Sequence, residues 1–327
     1  MGNAGAVVDP MGYLTPLTIS ATFHPLGFPV LIQTNSAGVI QAAEESWGEE
    51  PPEFPDSPIQ LRIVVGGGPA GMPPTPVFRA QWHLLAVAAD ASNFAVCDLD
   101  GGLAFCHLSE AAAQRRAWVR YHFIEAIVYT ALTHRRLTAL HAACLSRNGS
   151  GVMLCGPPGC GKTTLAWACA RAGWTFLADD ATYLLRAASD RVVLGMPRQL
   201  RLLDDAPRLF PELAGRAPVL DVNGQRRLEI PAAEWGLGTA RRCQVEAVVF
   251  LERSETAAAR LDPLPRREAL ARLRAEFPAY SPPVGEQHLA SLGRLLEAPC
   301  FELVYSTPGA AVAVLESLTE VVGSPCS

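Results

Sequence analysis

The stretch that most constrains this chain runs from Gly151 to Ala172 and reads GVMLC, then GPPGCGKT, then TLAWACARA. Five apolar residues fit a buried strand. The octet that follows is too rich in Gly and Pro to continue it, and the Ala- and Leu-rich segment after that is a good helix former. Strand, tight loop and helix in that order predict an α/β fold. The spacing Gly-x4-Gly-Lys-Thr adds chemistry to the geometry. Glycines let the backbone curl so that its N–H groups face phosphate oxygens, the ammonium of Lys162 bridges the β- and γ-phosphates, and the hydroxyl of Thr163 reaches magnesium. The helix that follows adds its positive N-terminal end. The predicted nucleotide-binding set is therefore Gly156, Pro157, Pro158, Gly159, Cys160, Gly161, Lys162, Thr163 and Thr164, with ATP and Mg2+ as the expected ligands. Of the 27 basic residues, Lys162 is the only lysine; all the others are arginine. The one lysine falls where a compact ammonium is needed and a planar guanidinium is no equivalent.

At 327 residues the chain is long enough for two modest domains. A net charge of −5 gives no electrostatic reason to expect nucleic acid or an anionic membrane surface as a partner. No apolar run approaches bilayer-spanning length. Met1 to Thr15 has neither a basic start nor a continuous apolar stretch, so no signal peptide is expected. The nine cysteines, at 97, 106, 144, 155, 160, 169, 243, 300 and 326, form no Cys-x-x-Cys pair. They read as reduced core thiols of a cytoplasmic protein.

The first third reads as a small α/β domain over residues 1–108. Strands are predicted at Leu17–Phe23, Phe28–Gln33, Ile59–Val65 and Val77–Ala88, with a helix over Ser36–Trp47 capped by Ser36. Gly66–Pro76 is a loop by composition. Asn93–Asp98 and Leu103–Leu108 flank Asp100-Gly101, a hairpin signal. Ser109 then caps a long helical stretch to about Arg136, expected to join the halves and to open a second domain over 109–327. There, Ala139–Leu145 and Gly151–Cys155 are predicted as buried strands and Thr175–Ala178 as a strand ending at Asp179-Asp180. A strand pair is predicted over Tyr183–Arg186 and Val192–Leu194, and a strand at Ala247–Leu251. Helices are predicted at Arg266–Phe277 and Glu286–Leu296, a last strand at Phe301–Tyr305 and a last helix at Pro308–Val321.

Carboxylates at the end of the strand after a phosphate loop suit magnesium held through its water shell, and two of them allow proton abstraction as well. Asp is also common at strand ends for purely structural reasons. His141, in LTALHAACL, is a core histidine on the bland reading. If its strand pairs with its neighbours, it comes close to Asp179 and forms a base with a positionable imidazole.

The run from Leu140 to Asp180, LHAACLSRNGSGVMLCGPPGCGKTTLAWACARAGWTFLADD, resembles the HPr kinase/phosphorylase family. It has that family's Leu-His strand, phosphate loop, following helix and Asp-Asp strand end in the same spacing. It departs from the family at Thr164, where the family carries Glu. The resemblance implies a P-loop kinase core similar to HPr kinase and phosphoenolpyruvate carboxykinase, with a small N-terminal α/β domain. Carried over by position, it implies Asp179 as the catalytic base on a serine hydroxyl and His141 as its assistant. It implies Thr163 and Asp180 as the magnesium ligands, beside Lys162, which the phosphate-loop motif itself assigns as the catalytic lysine. The chain also resembles HPr-kinase-related proteins of peptide-modification pathways, including those of lasso peptides.

Transferred phosphate needs further positive charge, and Arg198, after a strand and a proline, is the arginine chosen as a phosphate contact. The leading expectation is an ATP-dependent serine kinase acting on a peptide or small protein, with the first domain selecting the acceptor. A small-molecule kinase and a nucleotide-binding regulatory module without turnover stay open beside it. So does the oligomeric state, a homo-oligomer included.

Overall fold

The computed structural model describes residues 14–48, 50–220 and 224–322. Most of the Met1–Thr15 stretch, and Cys326, lie outside them. The chain divides into two compact units, 1–135 and 136–327.

The first unit holds β1 (Ile19–Phe23), β2 (Val30–Thr34), β3 (Ile59–Gly66), β4 (Val77–Gln81), β5 (Leu84–Asp90), β6 (Asn93–Asp98) and β7 (Leu103–Ser109). They make one sheet in the order β1-β2-β3-β7-β6-β5-β4, parallel at β2–β3 and β3–β7 and antiparallel elsewhere. The hairpin over Asp100-Gly101 forms as expected. Val77–Ala88 is not one strand. It folds back at Trp82, whose φ of 56° makes the turn, so that Gln81 pairs with Leu84. Alternation along β5, β6 and β7 buries Leu85, Val87, Ala95, Cys97, Ala104 and Cys106. The opposite face leaves Leu84, Val96, Leu103 and Phe105 exposed. Val96 lies directly opposite Phe105 in the ladder.

The helical stretch after Ser109 belongs to this first unit, which moves the boundary from 108/109 to 135/136. The reason is packing against α1 (Ala37–Trp47). Trp47 Nε1 donates to Tyr129 Oη at 2.9 Å, and Ser46 hydrogen-bonds Glu125. The stretch is also broken into α2 (Glu110–Ala113), α3 (Arg116–Val119), a π-helical turn (Arg120–Glu125) and α4 (Ala126–Arg135). Ser109 does cap it, its Oγ accepting from Ala112 N.

The second unit continues with β8 (Leu137–Leu140), β9 (Ala143–Arg147), β10 (Ser150–Cys155), α5 (Lys162–Arg171), β11 (Thr175–Ala178), β12 (Thr182–Leu185), β13 (Val192–Leu194) and β14 (Gln199–Leu203). It ends with β15 (Val219–Leu220), β16 (Arg226–Pro231), β17 (Arg242–Arg253), β18 (Arg260–Pro263), α6 (Arg266–Ala275), α7 (Pro282–Leu295), β19 (Cys300–Tyr305) and α8 (Pro308–Val322). A mixed sheet runs β11-β9-β10-β17-β13-β12-β8, with β19 also on β17 and β18 on β19. A small sheet, β14-β16-β15, stands apart. Every residue of β10 is buried, as a strand covered on both faces must be. Val152 and Leu154 join a core with Leu165 and Trp167 of α5 and Leu315 of α8, whereas Met153 and Cys155 face Leu273 of α6 and Leu292 of α7. This is an α/β fold with helices on both faces of a mixed sheet.

Candidate active site

The phosphate-loop candidate connects β10 to α5. Gly156, Gly159 and Gly161 all have positive φ, at 141°, 84° and 100°. At Gly161 the absence of a side chain is obligatory, because a Cβ would lie 2.4 Å from Tyr305 Oη. That hydroxyl donates to Cys160 O at 3.0 Å, so the end of β19 pins the loop. Lys162 is 6% exposed, and its Nζ donates to Gly156 O at 2.6 Å and Pro157 O at 3.2 Å. The ammonium therefore sits inside the curl of the loop, held by carbonyl dipoles. Thr163 and Thr164 lie in the first turn of α5, half-buried, among the N–H groups that a helix start leaves unpaired.

Strand register brings the acidic residues to this loop. β9 runs antiparallel between β10 and β11, with Ala143 opposite Leu154 on one side and Cys144 opposite Ala178 on the other. One step further, all three strands end at the same level: β10 enters the loop at Gly156, β9 reaches Ala142 and His141, and β11 reaches Asp179. At the usual strand spacing, the loop and the acid pair are about 10 Å apart with the His141 segment between them.

His141 is not inside a strand. The segment read as continuous over Ala139–Leu145 breaks at His141-Ala142, where the chain leaves β8 and enters β9. The neighbouring chain breaks at the same level, over 179–181, between β11 and β12. Leu140 pairs with Thr182 on one side of the break and Cys144 with Ala178 on the other. Thr182 Oγ1 donates to Ala142 O at 2.8 Å and closes the gap. The break leaves the side chains of 141 and 179–180 unconstrained by pleat alternation.

The imidazole reaches Asp180, not Asp179: His141 Nε2 is 2.9 Å from Asp180 Oδ1. On its other side, His141 Nδ1 is 3.8 Å from Glu276 Oε2, at the C-terminal end of α6. Asp179 instead accepts the backbone N–H of Arg201, at 2.9 Å from its Oδ2. Burial pushes the Asp179 carboxyl up to about 6. The Arg201 N–H pulls the other way, and the adjacent Asp180 charge adds to the rise. The expected base therefore has an environment of its own, and the histidine belongs to its neighbour.

Arg198 is exposed and lies one residue before β14, its carbonyl accepting Ala232 N. The arginine whose field reaches Asp179 is Arg201. Glu276 was invisible in the sequence as a site residue, since it ends an ordinary amphipathic helix far along the chain. Its negative charge also acts on the thiols of Cys155 and Cys160, which places it beside the loop.

Among the described residues, no group of three or more His, Cys, Asp or Glu side chains is arranged to hold a metal alone. The residues present fit magnesium carried in on phosphates. The Thr163 hydroxyl and the carboxylates of Asp179 and Asp180 are hard oxygen donors, and such ions lean on one or two carboxylates plus the substrate. No helix among the described residues is long and apolar enough to cross a membrane.

A family model described as "SynChlorMet cassette protein ScmC" matches residues 104–197, less than a third of the chain but a span that includes His141, the loop and Asp179-Asp180. No curated protein matches. Among solved structures, an HPr(Ser) kinase/phosphatase from Coxiella burnetii is similar at 12% identity and a TM-score of 0.31, over 57% of this chain and 99% of that one.

Proposed function

We propose that the protein is an ATP-dependent kinase that transfers the γ-phosphoryl group to a Ser or Thr hydroxyl of a peptide or small protein. The observation that carries this reading is the convergence of a lysine-bearing phosphate loop, a carboxylate with a raised pKa and a His-paired carboxylate at one end of three adjacent strands. The motif resemblance over Leu140–Asp180 supports it.

Phosphoryl transfer asks the protein for positioning and charge rather than covalent chemistry. The loop N–H groups and Lys162 cradle the phosphates, with the ammonium exchanging its carbonyl partners for phosphate oxygens. Thr163 and Asp180 would hold magnesium, which supplies charge neutralisation between the phosphates. His141 fixes the Asp180 carboxylate in that task and is a positioning residue. Asp179 accepts the proton of the attacking hydroxyl. A base titrating near 6 is ionised at neutral pH and accepts a proton better than an ordinary carboxylate. Arg201, whose backbone N–H and charge both act on Asp179, joins Arg198 as a candidate phosphate contact. The first unit is the acceptor-selecting part in this reading, and the open face carrying Val96 and Phe105 supplies an apolar surface for it.

The test is transfer from labelled ATP to Ser- and Thr-containing peptides by wild type and Asp179→Asn. Removing the base should lower transfer by about 10²–10⁴-fold while magnesium-ATP still binds. Unchanged transfer in the variant would refute Asp179 as base. Nucleotide binding without transfer to any peptide would favour a regulatory module.

A further inference from the structure

All eight described cysteines are free, and seven of them are buried. Two meet across the strand that carries the phosphate loop. Cys144 lies on β9 and Cys243 on β17, with β10 between them. Side chains two strands apart normally stand about 10 Å from one another, yet here the sulfurs are 3.6 Å apart. Gly151 makes this approach possible, because a Cβ there would lie 2.7 Å from Cys243 Sγ. The β10–β17 ladder also slips between Gly151 and Val152, so the backbone beside the pair is irregular. Cys144 is fully buried, whereas Cys243 is only partly buried.

We propose that Cys144 and Cys243 are a redox modification site, a thiol pair that a hydroperoxide converts to a disulfide entering from the Cys243 side. A disulfide needs the sulfurs at about 2.05 Å and the Cα atoms within about 7 Å, so closing the pair draws β9 and β17 towards each other over Gly151, where no side chain stands between them. The order of events follows from exposure. The Cys243 thiolate attacks one peroxide oxygen and the O–O bond breaks. The departing hydroxide takes a proton and leaves as water, and Cys243 becomes a sulfenic acid. The Cys144 sulfur then attacks the Cys243 sulfur, the S–O bond breaks, and the departing hydroxide leaves as water with the Cys144 proton. Two thiols lose two electrons, and one hydrogen peroxide becomes two waters. Cys144 is unsuited to act first. Its hydrogen bond with Cys243 and its burial hold its thiol well above the ordinary range. Reduction by a small thiol runs back through a mixed disulfide at Cys243.

The sequence makes the test unambiguous. Cleavage after Arg136, Arg147, Arg242 and Arg253 gives the peptides Leu137–Arg147 and Cys243–Arg253, each with a single cysteine. The full chain is treated with hydrogen peroxide under native conditions, blocked with an alkylating agent, cut with trypsin and weighed without reduction. The expected result is a linked pair of these two peptides as the main disulfide, lost on treatment with dithiothreitol. Cys144→Ser should leave a sulfenic acid at Cys243 that dimedone captures, and Cys243→Ser should leave Cys144 unlabelled. Absence of the linked pair in the wild-type protein overturns the proposal whatever the variants do. Dimedone labelling of Cys144 in Cys243→Ser overturns the order of attack.

Discussion

The two halves of the candidate site are built in opposite ways. The phosphate loop is one contiguous run, Gly156 to Gly161 between a strand and a helix with Lys162 and Thr163 opening that helix, shaped by three glycines at positive φ and pinned by Tyr305. The carboxylate half is drawn from segments far apart in the chain: His141, Asp179-Asp180, Arg201 and Glu276. No local conformation specifies it. It exists because two neighbouring strands break at the same level while keeping their register. The first half is therefore vulnerable to changes of residue type within the loop, and the second to anything that shifts one strand against another.

This contrast can be sharpened by substitution. The largest effect on nucleotide affinity is expected at Lys162. Lys162→Ala deletes a charge-assisted contact worth roughly 1.5–3 kcal/mol, and calorimetry with magnesium-ATP should show affinity falling by about ten- to hundredfold. Equal binding by wild type and variant would remove the loop from the account. A smaller effect is expected at His141. Because the imidazole contacts Asp180, His141→Ala should resemble Asp180→Asn, weakening the magnesium dependence of binding and leaving metal-free nucleotide affinity alone. If it instead lowers transfer at unchanged magnesium affinity, the histidine serves Asp179 and the observed pairing is not the working one.

The smallest effect concerns stability. Burial makes the native state hold the Asp179 proton more tightly than the unfolded chain does, with a carboxyl near 6 against 3.8. The contribution of this group to stability is present below about pH 4 and is lost as pH rises through about 6. Asp179→Asn should therefore be more stable than wild type at pH 8, by on the order of 1–3 kcal/mol and with a higher melting temperature, and should change little at pH 4. A variant less stable than wild type at pH 8 would mean that the carboxylate is a structural acceptor for Arg201 N–H and not a destabilised functional group.

What the sequence revealed divides along the same line. The loop, its strand and its helix were legible because glycine spacing and apolar runs are local signals, and Asp179-Asp180 were legible as a strand end. His141 was legible as a candidate, but its partner was not. LTALHAACL carries no Gly or Pro to mark the break at His141-Ala142, and without the break the register that sets His141 against Asp180 cannot be drawn. The turn at Trp82 failed for a related reason, since a bulky residue holds a left-handed conformation that sequence signals assign to Gly or Asn. Arg201 became visible only with the strand pair Gln199–Leu203 and Arg226–Pro231, whose charged residues mask a buried alternation of Leu200, Leu202, Leu228 and Ile230.

The central claim is that the two halves form one magnesium–nucleotide site, and a magnesium titration of ATP affinity tests it most directly. Calorimetry is run on wild type, Lys162→Ala and Asp180→Asn, each with and without the metal. A single site predicts that magnesium strengthens ATP binding in the wild type, that Asp180→Asn loses this increment while keeping the metal-free affinity, and that Lys162→Ala lowers affinity in both conditions. An undiminished magnesium increment in Asp180→Asn would contradict it, leaving a phosphate loop and an acid pair that share a sheet end but not a ligand.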